Sequence, residues 1–211
     1  MRVTRLCIVR HGETDWNAEG RVQGQLDIPL NAVGHAQARA VAAALAGHEF
    51  AAIHGSDLAR VRETAAPAAA ALALPVSCAA ALRERHYGSF EALTYKEARE
   101  RFPDAYARFG RRDPDFDCGS GESLRAFNAR ALDAVRGLAE RHAGESILVF
   151  THGGVLEMVH RHARAMELSA PREFEIPNAG INWIEVRAGK WSILSWADVA
   201  HLAAARDELP G

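Results

Sequence analysis

The chain has few cysteines, no long apolar run and no surplus of charge of either sign, and each absence removes a class of function. Cys7, Cys78 and Cys118 are odd in number and lack metal-ligand spacing, so they read as reduced thiols of a cytoplasmic protein rather than as a disulfide or zinc framework. No apolar stretch approaches the length of a membrane span, and the N-terminus carries no signal-like segment, so a soluble intracellular protein is expected. The 25 Lys+Arg are interspersed with 27 Asp+Glu, for a formal net charge of -2. That argues against nucleic acid and anionic membrane as partners. No internal repeat is visible, and 211 residues with 48% hydrophobic content suffice for one domain spanning 1–211.

What is present is a strand that ends abruptly in chemistry. Residues 6–9, Leu-Cys-Ile-Val, form a continuous apolar run of the kind covered on both faces in a parallel sheet. Arg10, His11 and Gly12 follow at its carboxyl end, the edge where open α/β sheets bind ligands. A guanidinium beside an imidazole there suits a phosphoryl group, since Arg offers a donor fork to two oxygens and His can attack phosphorus. Taken alone, the pair reads better as a solvated strand end, so the case rests on what else arrives at the same rim.

Further along, 12–30 is a glycine-punctuated loop too long for a plain connection. Asn31 caps a helix ending near Gly47, 50–53 is a second strand, and Ser56 or Asp57 caps a helix that starts near Leu58 and is kinked or restarted at Pro67. Arg60 and Arg62 then stand in a helical first turn, where cations are disfavoured unless an anion lies near. Residues 75–78 read as a third strand and 81–94 as a second functional loop. Thr94 with Glu97 forms a capping box, Pro103 starts a short helix, and 110–121 is an exposed loop. Ser123 caps a long helix running toward Gly144.

Residues 147–150 repeat the opening theme: an apolar strand, then Thr151-His152-Gly153-Gly154, with a helix from about Val155 whose free amides point at the same rim. Residues 181–187 and 191–197 alternate around Ala188-Gly189 as an antiparallel hairpin, and 198–211 is a tail lying on the surface or partly loose. The fold expected is a three-layer α/β/α sandwich with a mostly parallel six-stranded sheet and an antiparallel edge hairpin. Parallel strands share a carboxyl edge, so Arg10, His11, Arg60 and His152 converge there into an anion pocket.

Arg10-His11-Gly12-Glu13-Thr14 resembles the RHG signature of the histidine phosphatase superfamily, the phosphoglycerate mutase-like family. The likeness continues through Asn17, residues 20–24 and 27–30, Ser56-Asp57-Leu58 with Arg60, Thr64-Ala65, Leu82-Arg83-Glu84, Gly121-Glu122-Ser123-Leu124 and residues 151–154. It implies that His11 is the nucleophile of a phosphohistidine mechanism, that Arg10, Arg60 and His152 hold the phosphoryl oxygens, and that Glu84 is acid then base, with Glu91 a rival. Asn17, Gln23, Gly24, Tyr87 and Gly153 are expected to contact substrate. Arg111 and Arg112 are expected to grip its carboxylate, as in the cofactor-dependent mutase branch.

Neither metal nor cofactor is implied, because the arginines neutralise the charge in flight. His160 and His162 lie i,i+2 and face apart, so a metal role is set aside for them, and His35, His48 and His54 have no evident partner. The expected partner is a small-molecule phosphomonoester, with a homodimer left open. Only eight residues separate Arg112 from Gly121, and 90–93 lack the family's usual glycine. The short segment leaves little lid to exclude water, which favours a phosphatase over the alternative of a mutase. A catalytically idle phosphoryl-binding module is the third reading, disfavoured because His11 and Glu84 are both present.

Overall fold

A computed structural model describes residues 2–205. Its six strands are β1 (Val3–Arg10), β2 (Ala52–Gly55), β3 (Val76–Cys78), β4 (Ser146–Thr151), β5 (Ile181–Arg187) and β6 (Lys190–Asp198). They form one sheet in the order β3-β2-β4-β1-β5-β6. The first four are mutually parallel, whereas β5 runs antiparallel to β1 and pairs with β6 as the edge hairpin. This is the expected layered α/β architecture.

The helices are α1 (Asp15–Ala18), α2 (Ala32–Leu45), α3 (Ala59–Leu72), α4 (Tyr95–Arg101), α5 (Pro103–Gly110), α6 (Leu124–Arg141), α7 (Gly153–Ala163) and α8 (Leu202–Ala205). Period-two alternation in β1 and β4 splits their apolar side chains between two cores. Leu6, Ile8, Ile147 and Val149 pack with Phe127 and Val135 of α6 and Leu156 and Val159 of α7. Cys7, Val9, Leu148 and Phe150 pack with Val41 and Leu45 of α2 and Val61 and Ala65 of α3. Both faces of the central strands are covered, as their continuous apolar runs require.

Several local expectations are corrected. Loop 12–30 contains the one-turn α1, closed by a capping box between Thr14 and Asn17. Helix α3 runs through Pro67 without restarting, and it ends at Ala73 in the left-handed region. Neither Ser56 nor Asp57 caps it as foreseen: Asp57 is held by Arg83 at 2.6–2.7 Å, and the Ala59 amide donates to Asp27 at 2.6 Å. A carboxylate 32 residues upstream thus satisfies the helix end and ties the first loop to it.

The 110–121 segment is not wholly exposed, since Phe116 and Cys118 join Phe90 and Ala98 in a third, small core. The tail divides: Leu202 of α8 packs on the α2 side and His201 Nε2 lies 3.1 Å from the Ala179 carbonyl. Residues 206–211 lie outside the described residues. Among the described residues no helix is long and apolar enough to cross a membrane.

Candidate active site

Register alone brings two of the expected groups together. Arg10 pairs with Thr151 across the β1–β4 ladder, so His11 and His152 leave adjacent parallel strands side by side. Their rings meet edge to face at a centroid distance of 5.3 Å. His11 Nδ1 lies 2.7 Å from the Gly12 carbonyl. A carbonyl can only accept, so Nδ1 carries the proton and the Nε2 lone pair is left open. Burial, then the charges of Arg60 and Arg10, push the His11 pKa well below 6.5, against the Gly12 hydrogen bond. The ring is neutral and nucleophilic.

Arg10 and Arg60 are pinned by backbone oxygens. Arg10 donates to the Ile176 carbonyl at 2.6 Å. Arg60, 1% exposed, donates to the carbonyls of Gly24 and Leu26 at 2.8 Å each, and burial lowers its pKa to about 10, so it stays charged at neutral pH. His152 is fully buried and its Nε2 lies 2.9 Å from Ser56 Oγ. Its pKa is also depressed well below 6.5, first by burial and then by Arg60 and His11.

Arg10 Nε, Arg60 Nε and His152 Nδ1 are each buried without a hydrogen-bond partner among the described residues. Buried donors in that state are costly. The two arginine donors, on side chains that line one cavity with His11 and concentrate positive charge there, fit a tetrahedral oxyanion that would accept from both, and His152 stands outside that lining.

Glu84 faces these donors. Its Oε1 accepts from the Arg85 amide at 2.7 Å and its Oε2 from the Gly154 amide at 2.8 Å. The α7 N-terminus therefore orients the carboxylate, which corrects the expectation that both glycine amides point free into the rim. A Cβ at Gly154 would stand 2.0 Å from Glu84 Oε1, so only glycine permits this approach. Gly153 is absent from the lining of the cavity that these groups enclose, and a Cβ on it would stand 3.4 Å from Arg10 Nε.

Arg10, His11, Arg60 and Glu84 line a cavity of about 100 Å³. Asn17, Gln23, Gly24 and Tyr87 line it too, as foreseen, together with Arg21 and Tyr95, which were not. Asn17 has a structural task as well, because its Oδ1 receives the Thr14 amide at 3.1 Å and the Asn178 amide at 3.3 Å. Gly24 has φ +53°, and a side chain there would strike Glu91.

Glu91, the rival acid, lies outside the cavity lining. Its Oε1 holds the amides of Gln25 at 2.9 Å and Tyr87 at 3.0 Å, which binds the two loops together. Arg111 and Arg112 are not in the lining. Arg112 pairs instead with Glu157 and donates to the Leu168 carbonyl at 3.0 Å. Glu157 is buried on α7 and needs the counter-charge, which Arg112 and Arg161 provide.

Sequence reasoning gave no site role to three supporting side chains. Ser56 holds His152; Thr64 takes the Gly12 amide at 2.9 Å while donating to Arg60 O at 2.6 Å; Asn178 donates to His11 O at 3.0 Å. Thr64 was detectable as the i+4 neighbour of Arg60, and Asn178 by its place in the Pro-Asn-Ala-Gly stretch 177–180, a turn in which the Gly180 amide donates to the Pro177 carbonyl at 3.1 Å.

The remaining histidines lie elsewhere. His54, expected to stand alone, contacts His142 with Nε2–Nε2 at 2.9 Å. His35 stands 3.9 Å from Glu63, and His48 packs against Phe50 and Trp183. His160 stacks on Phe174 and His162 meets Trp191 edge-on. Among the described residues no group of three or more His, Cys, Asp or Glu is placed to hold a metal ion.

Comparison with known proteins identifies the relatives of this chain. The model of the histidine phosphatase superfamily, branch 1, matches residues 6–199. A metal-independent phosphoserine phosphatase of Arabidopsis thaliana is 41% identical over 96% of this chain and 84% of its own length. Phosphoglycerate mutase-like protein 4 of the same plant is 41% identical over 93% and 86%. Among solved structures, a histidine-to-alanine variant of phosphoserine phosphatase from Entamoeba histolytica, in complex with phosphoserine, superposes with TM-score 0.84 at 27% identity. It covers 94% of this chain and 99% of that one.

Proposed function

The chain belongs to the histidine phosphatase superfamily, branch 1, and we propose that within it His11, Glu84, Arg10, Arg60 and His152 carry out the hydrolysis of a small phosphomonoester. It is a metal-independent phosphomonoester hydrolase by kinship. His11 Nε2 attacks phosphorus, the ester P–O bond breaks, and protonated Glu84 gives its proton to the departing oxygen, releasing the alcohol. Glu84, now a carboxylate, takes a proton from water as its oxygen attacks the phosphohistidine. Inorganic phosphate leaves and His11 is regenerated. Arg10, Arg60 and His152 balance the charge spread over the equatorial oxygens throughout.

The observation that carries this reading is the cavity lined together by Arg10, Arg60, Glu84 and His11, where the His11 Nε2 lone pair is open and the buried Nε donors of both arginines have no partner among the described residues. A mutase reading is supported by the mutase-like relative, but Arg112 is committed to Glu157, so hydrolysis is the better reading. A substrate of the phosphoserine type is the first to try, since the named relatives act on or bind it. The partner class is a small phosphomonoester rather than nucleic acid or membrane, the compartment is the cytoplasm, and 1–211 act as one domain. Balanced charge supports the partner class.

The test is phosphate release from a panel of phosphomonoesters by wild type and His11→Ala, in the presence of EDTA. The wild type should be active and carry phosphate on His11 after quenching without acid. Near wild-type turnover by His11→Ala, or loss of wild-type activity on chelation that a divalent ion restores, would overturn the mechanism.

A further inference from the structure

Glu84 lies on a segment with no ladder of its own. After a single 3₁₀ turn, Ala80–Leu82, residues 83–87 belong to no helix or strand, so the backbone carbonyls there need donors from elsewhere. Four in succession find them in side chains. Thr151 Oγ1 donates to Leu82 O at 2.9 Å, and the other three are taken by one residue of α6. Arg130 donates to Ala81 O and Arg83 O at 3.0 Å each through one terminal nitrogen, and to Glu84 O at 3.1 Å through the other.

The rest of that guanidinium is turned to Glu122. Nε donates to Oε1 and a terminal nitrogen to Oε2, both at 2.7 Å, and Oε2 also accepts from the His86 amide at 3.1 Å. An arginine carries five N–H groups, and these contacts occupy all of them. No donor remains for a ligand. Arg130 is also absent from the lining of the reaction cavity; it lines a separate open groove of about 630 Å³ together with Glu122 and Gln25.

We infer that Arg130 is a positioning residue for the acid step: it fixes the backbone from which Glu84 reaches the reaction cavity, without touching substrate. Glu84 is then held at both ends. Its carboxylate meets the Gly154 amide of α7 at 2.8 Å, and its own carbonyl is fastened to α6 through Arg130. Two helices that share one core thereby set the place of one proton donor. The fork is required rather than the charge alone, since an ammonium has three donors and cannot span three carbonyls and a carboxylate at once. This role rests on the reading of Glu84 as the acid.

The test compares an alkyl phosphate with an aryl phosphate, whose phenolate departs without a proton, by the single-turnover rate of alcohol release. A misplacement of about 1 Å at a reacting group costs up to ~10²-fold, so Arg130→Gln should slow the alkyl ester by roughly 10-fold to 10²-fold. The aryl ester should stay within about 3-fold. The Arg130 side chain is 24% exposed, so water can reach the freed carbonyls and circular dichroism should be unchanged. Should Arg130→Gln fail to fold, Glu122→Gln, which loosens the fork without removing it, should show the same asymmetry in weaker form. Arg130→Lys should recover part of the alkyl rate. In a Glu84→Gln background, Arg130→Gln should change the alkyl rate by less than about 2-fold, because no acid is left to position. Arg136→Gln, which breaks an exposed ion pair with Asp133 on the same helix, should alter neither ester.

Wild-type rates in Arg130→Gln, equal slowing of both esters, or a double variant whose loss on the alkyl ester is the product of the two single losses would overturn the positioning role and leave Glu84 as the acid. Absence of the alkyl–aryl asymmetry in Glu84→Gln itself would overturn both.

Discussion

Glu84 and Gly154, 70 residues apart in sequence, meet at 2.8 Å through a carboxylate oxygen and a backbone amide. The carboxylate thus sits against the first turn of the helix that begins beside His152, and its direction is set by backbone rather than by another side chain. Gly154→Ala should therefore act as a catalytic lesion. The added methyl displaces the end of the flexible Glu84 side chain, so kcat for an alkyl phosphate should fall by roughly 10²-fold, the low end of general acid catalysis. Circular dichroism should be unchanged. Wild-type kcat with normal folding would show that Glu84 need not occupy this position.

Replacement of the two neighbouring glutamates should give opposite phenotypes. Glu84→Gln should slow alkyl esters by ~10²–10⁴-fold while sparing an aryl ester whose phenolate leaves unaided. Glu91→Ala should cost about 1–3 kcal/mol of stability by leaving the Gln25 and Tyr87 amides without their acceptor, with equal effects on both ester classes. Steady-state rates and urea melts separate the two. The alkyl-aryl asymmetry appearing at Glu91 would move the proton transfer there.

Acid should weaken the fold before it charges the nucleophile. His11 and His152 have native pKa values well below the 6.5 of the unfolded chain, so below pH 6.5 the unfolded state binds more protons. Their contribution is complete above that pH and is lost as pH falls toward the depressed native values, by at most about 2.7 kcal/mol per unit for two sites. Urea midpoints should decline below pH 6.5, while imidazole nitrogen NMR at pH 6 should show both rings uncharged. A charged His11 at pH 6 would remove the stated basis of its nucleophilicity.

The strand-end groups were legible because continuous apolar runs followed by polar residues mark the carboxyl edge of a parallel sheet, and register does the rest. Glu84 was legible only through family resemblance, since nothing local announces that its partner is an amide at 154. Arg111 and Arg112 misled for a related reason: their neighbours suggested a substrate grip, but the buried charge that claims Arg112 lies on α7, 45 residues away. The α3 cap eluded local reading because Asp27 arrives from another loop. Side chains recruited by the tertiary path of loops leave little periodic trace.

Arg60 has a consequence for how the protein responds to heat. The guanidinium that would face the phosphoryl group is also the peg on which Gly24 and Leu26 hang, and Asp27 clasps the adjoining helix end. The cation is therefore already oriented when substrate arrives, with little reorganisation left to spend in reaching the transition state. That advantage lasts only while the loop is closed around it. Segments of this kind open at lower free energy than core strands, so on warming, the polar preorganisation dissolves first, and the rate falls while the sheet is still intact.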